Sequence, residues 1–202
     1  NPYFTDQNVE KEKGIIGQEI QMYDDYPSWA VYMNAMKCMY KNNPIIIDIA
    51  GSIESISKID KEVLYKCYNT FYHPSNMVMC FAGEFELEAL IEEVEKHGEI
   101  KRIYPEEPEQ IVKKENTQNM EVSMPIFVIG IKDVIDNKNC TSSSIVKKHI
   151  AIEILLNMLI GKSSKLYKEL YEAELITGEP YLDYEFSKQY AHVSITGQSN
   201  DP

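Results

Sequence analysis

The chain has 202 residues, a net charge of −12 at pH 7, 44% apolar and 26% charged residues, which suits one large or two small globular domains and excludes a disordered chain or a fibre. An acidic sequence with no basic footprint is a poor match for a nucleic-acid backbone or an anionic membrane surface, and no apolar run approaches the roughly 20 residues of a membrane span. Neither nucleic acid nor membrane is expected as a partner. Cys38, Cys67, Cys80 and Cys140 stand singly, without a C-x-x-C pair. They read as reduced, mostly buried thiols, and with the polar start at Asn1 they point to a cytoplasmic protein.

Thr5 or Asp6 can cap a first helix that ends near Asp24-Asp25, before Pro27. Wound at about 100° per residue, it gathers Val9, Ile15, Ile16, Ile20, Met22 and Tyr23 into one apolar arc, with Glu12 and Glu19 projecting from its middle towards the core. A buried carboxylate needs a cation, a metal or several donors. Two glutamates separated by two helical turns suit a metal held by one and steadied by the other, the alternative being two solvated glutamates on a surface helix. A second helix, Ser28 to Tyr40, is apolar on most sides and reads as core, with a Met-lined groove as the other possibility.

Asn42-Asn43-Pro44 breaks the chain, and Ile45 to Ile49 reads as a short buried segment ending at Gly51. Asp60 caps a helix through Tyr72, His73-Pro74-Ser75-Asn76 is a turn, and Met77 to Ala82 reads as a strand. Leu87, Leu90, Ile91 and Val94 define a short helix ending by His97-Gly98. From Glu99 to Gln118 the periodicity fades among prolines and charges, marking a linker between lobes 1–98 and 119–202. Beyond it come a buried strand, Ile126 to Ile131, a helix from Ile145 to Ile160 capped within Ser142–Ser144 and closed by Gly161, and a helix from Ser163-Ser164 to Leu175. Tyr181 to Phe186 and Tyr190 to Thr196 alternate like antiparallel strands. Strand and helix recur on both sides of the linker, so the expected class is α+β with two lobes.

Gly161-Lys162-Ser163 is not a phosphate loop, because Leu156 stands where its first glycine belongs and a helix precedes it. His73, His97, His149 and His192 are scattered, and none belongs to H-E-x-x-H or H-x-x-E-H. His73 reads as a turn residue and His149 as a surface or boundary residue.

The run Val9 to Pro27, then Asp48-Ile49-Ala50-Gly51-Ser52-Ile53-Glu54-Ser55-Ile56, Tyr72-His73-Pro74-Ser75-Asn76-Met77, Ala82-Gly83, and Leu156 to Leu170 with Gly161-Lys162-Ser163-Ser164 together resemble the insulinase/pitrilysin family of zinc peptidases, most closely its bacterial cytosolic branch. The resemblance implies that Glu19 matches the third zinc ligand and that Glu12 matches the acidic residue supporting it. It also implies two similar α+β domains around a peptide chamber, with this chain holding the later part of the first domain, the connector, and the earlier part of the second. The H-x-x-E-H motif of that family, which supplies two histidine ligands and the glutamate that activates water, belongs upstream of the segment matched by Glu12 and Glu19 and is not in these residues.

The expectation is therefore a central fragment of a zinc metallopeptidase that hydrolyses peptides, with zinc in the parent and none in the fragment, which is inactive by itself because one glutamate cannot hold a catalytic zinc. The alternative is a non-catalytic peptide-binding or partner subunit, in a homodimer or heterodimer with a related peptidase-like chain. A small acidic interaction module is a third possibility.

Overall fold

A computed structural model describes residues 2–84, 86, 103–135 and 141–202. Its elements, in chain order, are α1 (Asp6–Asp24), α2 (Pro27–Met39), a 3-10 turn (Pro44–Ile46), α3 (Ile53–Ser57), α4 (Lys61–Phe71), a second 3-10 turn (Pro74–Asn76), β1 (Ile126–Lys132), α5 (Ser142–Ile160), α6 (Lys165–Glu172), β2 (Tyr181–Phe186) and β3 (Ala191–Gln198). The class is α+β, as the sequence indicates. The expected helix around Leu87 to Val94 lies outside the described residues, as do His97 and Cys140; the other cysteines are not buried as expected, Cys67 and Cys80 being exposed and Cys38 half-buried.

The chain divides into two compact units, Asn1–Glu19 with Gly51–Ile103, and Ile20–Ala50 with Tyr104–Pro202. In the first, side-chain caps set the helix starts. Thr5 Oγ1 accepts from the Asn8 amide, Ser52 and Ser55 close a capping box on α3, and Asp60 accepts from the Val63 amide at the head of α4, each satisfying a donor the helix itself leaves open. Phe4 meets Tyr65 edge-on at 5.0 Å between ring centroids. A Cβ at Gly17 would meet Ile53 at 3.5 Å and Ile56 at 4.0 Å, ordinary van der Waals contacts, so this side of α1 faces α3.

In the second unit three antiparallel strands run in the order β1-β3-β2. Gly130 pairs with Ser194 and Lys132 with His192 on one face, which α2 covers; a Cβ on Gly130 would stand 2.7 Å from Met39 Sδ. The opposite face packs Leu156 of α5 against Tyr184, Ala191 and Val193. Covered on both sides, the central strand β3 buries Ala191, His192, Val193 and Ser194 in succession. α5 ends where Gly161 turns extended, and a Cβ there would lie 2.5 Å from the Asn157 carbonyl oxygen, so the position takes glycine. Beyond α6, Glu174 adopts φ 57° and the Leu175 amide bonds the Leu170 carbonyl, a left-handed stop that ends the helix before Leu175.

Three expectations are corrected. Met77 to Ala82 forms no strand, and Val78 and Met79 are exposed: alternation supplies a propensity, whereas a strand needs a neighbour's hydrogen bonds. Ile45 to Ile49 is not a buried segment, since only its start is helical and Ile47 and Ile49 are exposed. β1 is an edge strand and not fully buried; Ile129 and Ile131 are exposed on the side that α5 leaves open.

The stretch 104–113 is pinned to the second unit by Glu107. Its carboxylate accepts from the Lys41, Asn42 and Asn43 amides at 2.9, 2.6 and 2.8 Å and from Lys132 Nζ at 2.8 Å. Five residues on, the Val112 and Lys113 amides donate to the Cys38 carbonyl. Burial alone would raise the Glu107 carboxyl, but the lysine and the three amides outweigh it and lower it to about 2.

Because Lys132 and Glu107 are both nearly buried, Glu107→Ala leaves a lone cation and open amides and is expected to destabilise the unit by about 3–5 kcal/mol. Chemical denaturation of both proteins measures the loss. As the folded carboxyl lies below its unfolded value, the wild type holds this contribution above the ordinary carboxylate range and loses it as pH falls towards about 2, a dependence the variant lacks.

Candidate functional site

Both glutamates singled out in the sequence lie on α1, but not where the apolar arc puts them. The stripe that α1 turns inward is Val9, the Lys13 stem, Ile16, Gly17 and Ile20, with Val9 and Ile20 buried. Glu12 and Glu19 are exposed, in line with Ile15 and Met22, which are exposed too. The expectation that the two carboxylates face the core is thus corrected. A helix with apolar residues on two adjacent lines has two possible inward phases about 100° apart. Contacts with α3, absent from the helix's own sequence, choose between them: Gly17 sits against Ile53 and Ile56, and Lys13 Nζ reaches the Ser57 carbonyl.

Seven residues apart, Glu12 and Glu19 are separated by about 10 Å along the axis on one outward line that also carries Ile15 and Met22. Zinc–carboxylate bonds are about 2 Å long, so one ion cannot be shared by both. No group of three or more histidine, cysteine, aspartate or glutamate side chains comes together among the described residues. The described residues therefore do not assemble a zinc centre, and Glu19 is available as a single outward donor.

His73 caps the turn that follows it: its Nδ1 accepts from the Ser75 amide at 3.3 Å, the structural role expected of it. His149 is half-buried at the boundary, its ring tilted against those of Tyr184 and Phe186 at centroid distances of 5.8 and 5.5 Å.

The polar centre that sequence reasoning misses lies between α2 and the sheet in the second unit. Glu185 of β2 accepts from Tyr32 Oη at 3.1 Å and from Tyr190 Oη at 2.8 Å. His192 of β3 is fully buried, with Nδ1 3.0 Å from Tyr40 Oη, which also lies 2.9 Å from the Ala191 carbonyl oxygen. Lys132 Nζ stands over the Tyr40 ring at 4.7 Å. Burial, reinforced by Glu185, raises the phenols of Tyr32, Tyr40 and Tyr190, the last to about 12. Burial lowers His192 against the opposing pull of Glu185 and Asp183. No motif marks these residues. Their one sequence signal is the alternation through β3, which sets His192, Ser194 and Thr196 on the face opposite Val193 and Ile195.

A family profile described as the peptidase M16 inactive domain matches residues 58–179. The uncharacterized zinc protease YmfH of Bacillus subtilis is 42% identical over 211 residues, an alignment covering 100% of this chain and 49% of that protein. The mitochondrial-processing peptidase subunit beta of Caenorhabditis elegans is 30% identical over 102 residues, covering 50% of this chain and 22% of that subunit. Among solved structures, an M16-like peptidase of Alicyclobacillus acidocaldarius superposes with a TM-score of 0.82 at 35% identity, over 99% of this chain and 49% of that one. The chain spans about half the length of the relatives it matches end to end.

Because Glu12 and Glu19 face solvent, Glu12→Gln and Glu19→Gln are each expected to change the stability of this chain by less than about 0.5 kcal/mol. Denaturant titration of the two variants checks this. A loss of several kcal/mol in either would mean that the carboxylate is buried after all.

Proposed function

The chain belongs to the M16 family of peptidases, the insulinase/pitrilysin group, and from that premise we propose that it is the central part of a zinc-dependent peptidase and does not hydrolyse peptides by itself. The observation that carries this reading is the end-to-end likeness, at 42% identity, to a zinc protease of about twice the length. In it, residues 1–98 are the later part of a first peptidase-like domain, 99–118 the connector, and 119–202 the earlier part of a second. Zinc belongs to the whole protein, where it would lower the pKa of a bound water and polarise the scissile carbonyl. Glu19 is one ligand of that zinc and Glu12 steadies it, the remaining ligands coming from residues outside this chain. The substrate is a peptide, and the compartment is the cytoplasm. Among the described residues no helix is long and apolar enough to cross a membrane.

A second reading is a catalytically silent partner subunit. It is favoured by the likeness to one subunit of the mitochondrial processing peptidase and by the description of the matched profile as inactive. The upstream sequence of the whole gene separates the two: H-x-x-E-H belongs to the first reading only.

In the full-length protein Glu19→Gln is expected to remove most of the zinc and of the peptidase activity, since a ligand supplies a bond. Glu12→Gln should cost about 10- to 100-fold in affinity or rate, the scale of losses around a metal's supporting residues. Metal analysis alongside cleavage of quenched peptides reads both. Equal, small effects of the two substitutions would remove Glu19 from the site, and zinc-dependent cleavage by the 202-residue chain alone would show the catalytic centre to be complete within it.

A further inference from the structure

One fully buried atom between α2 and the sheet is left without a hydrogen bond: Nε2 of His192, among the described residues. It faces Glu185 Oε2 at 3.6 Å, too far for a bond. That same oxygen accepts from Tyr32 Oη at 3.1 Å, a link from α2 to β2, while Glu185 Oε1 is engaged by Tyr190. We propose that Tyr32, Tyr40, Glu185 and His192 form a proton-sensitive latch that fastens α2 to the sheet, closed while His192 is neutral and loosened when it takes up a proton.

The bookkeeping of hydrogens shows how. Tyr40 has one hydroxyl proton and two acceptors in reach, His192 Nδ1 at 3.0 Å and the Ala191 carbonyl at 2.9 Å. The Ala191 carbonyl is also served by the Asp133 amide at 2.8 Å. With His192 neutral, Tyr40 can donate to Nδ1 and leave the ring's single N–H on Nε2. A proton arriving from solvent goes to Nδ1; Tyr40 then turns its hydroxyl to Ala191 and accepts from Nδ1–H. The ring is now a buried cation whose remaining N–H points at Glu185. To close the 3.6 Å gap Oε2 must shift, and its bond from Tyr32 Oη is already long at 3.1 Å; in the proposed latch that bond is the one given up, and the link from β2 to α2 is traded for an ion pair within the sheet.

The charged and titratable groups around the latch are Tyr32 and Tyr40 of α2, Asp183 and Glu185 of β2, Tyr190, Lys132 of β1, Asp133 and Glu107. Lys132 is paired with Glu107 at 2.8 Å and Asp133 with Lys148, which leaves Asp183 and Glu185 to act on a new cation, and of these Glu185 is the one placed 3.6 Å from Nε2. Burial lowers the folded-state value of His192. Stability from the neutral ring is therefore complete above the ordinary histidine value and declines as pH falls through that lowered one.

The test uses the full-length protein with 13C-labelled histidine. The imidazole resonance that disappears in His192→Gln is expected to titrate below the ordinary histidine value, and amide exchange across Trp29–Tyr40, corrected for intrinsic chemistry, is expected to rise severalfold as pH falls from about 7.5 through the range in which that resonance titrates. Tyr32→Phe should show the faster exchange already at the higher pH and lose the difference. Titration of His192 at or above its ordinary value, no acid response of α2 in the wild type, or an unaltered response in Tyr32→Phe each overturns the latch. If either variant fails to fold, exchange across α2 in the wild type still decides.

Discussion

The second unit depends on one carboxylate. Glu107 has no helix or strand of its own, yet it ties together the turn after α2, through the amides of Lys41, Asn42 and Asn43, and the end of β1, through Lys132. The Asn43 amide and the Lys132 ammonium would otherwise be buried or half-buried donors without this acceptor, and a lost partner there costs more than a made bond gains. A single side chain thereby fixes the register of three stretches far apart in sequence. The Lys132 ammonium held by Glu107 also caps the Tyr40 ring, so the placement of α2 on the sheet and the placement of stretch 104–113 are set by the same ion pair.

On top of that anchor, α2 meets the sheet with two kinds of contact. Met33, Met36 and Met39 are buried, and unbranched thioether chains fill gaps without dictating one arrangement. Orientation comes instead from the polar seam, where Tyr32 and Tyr40 reach Glu185, His192 and the Ala191 carbonyl. Adaptable packing supplies the burial, and directional bonds select the one position in which every hydroxyl has a partner. A polar seam of this kind holds only while its protons stay where the bonds need them, which is why a fully buried histidine at its centre has consequences beyond packing.

Much of this architecture is legible in the sequence because its cues are local. Caps at Thr5, Asp60 and Ser164, the stop at Gly161 and the alternation through β2 and β3 act within a few residues, and α1, α2, α4, α5 and the two strands stand where those cues put them. α5 begins slightly earlier than expected because Thr141 is the residue that caps it, in a box with Ser144. What is not legible depends on partners far along the chain. The stretch around Glu107 has no periodicity, and its anchoring is set by amides some 65 residues away. The exposure of Ile47, Ile49 and Val78 likewise follows from where neighbours stand, not from the side chains themselves. The helix bearing Glu12 and Glu19 is read correctly in extent and wrongly in phase, since a one-residue rotation separates two apolar lines and only contacts with α3 distinguish them.

That rotation changes the chemical reading of α1 more than its fold. Turned inward, two carboxylates would need partners within this chain, and among the described residues no cluster of three or more histidine, cysteine, aspartate or glutamate side chains exists to hold a metal between them. Turned outward, beside Ile15 and Met22, they present acidic donors on a partly apolar helix face, where a docking surface could remove them from water and so strengthen any bond to a cation. In the proposed reading Glu19 supplies one of the three protein ligands that a catalytic zinc requires. In the proposed reading, then, the difference between a working peptidase and a silent homologue is not written on α1 at all. The same helix serves either, and the histidines brought to its outward face, or their absence, decide which.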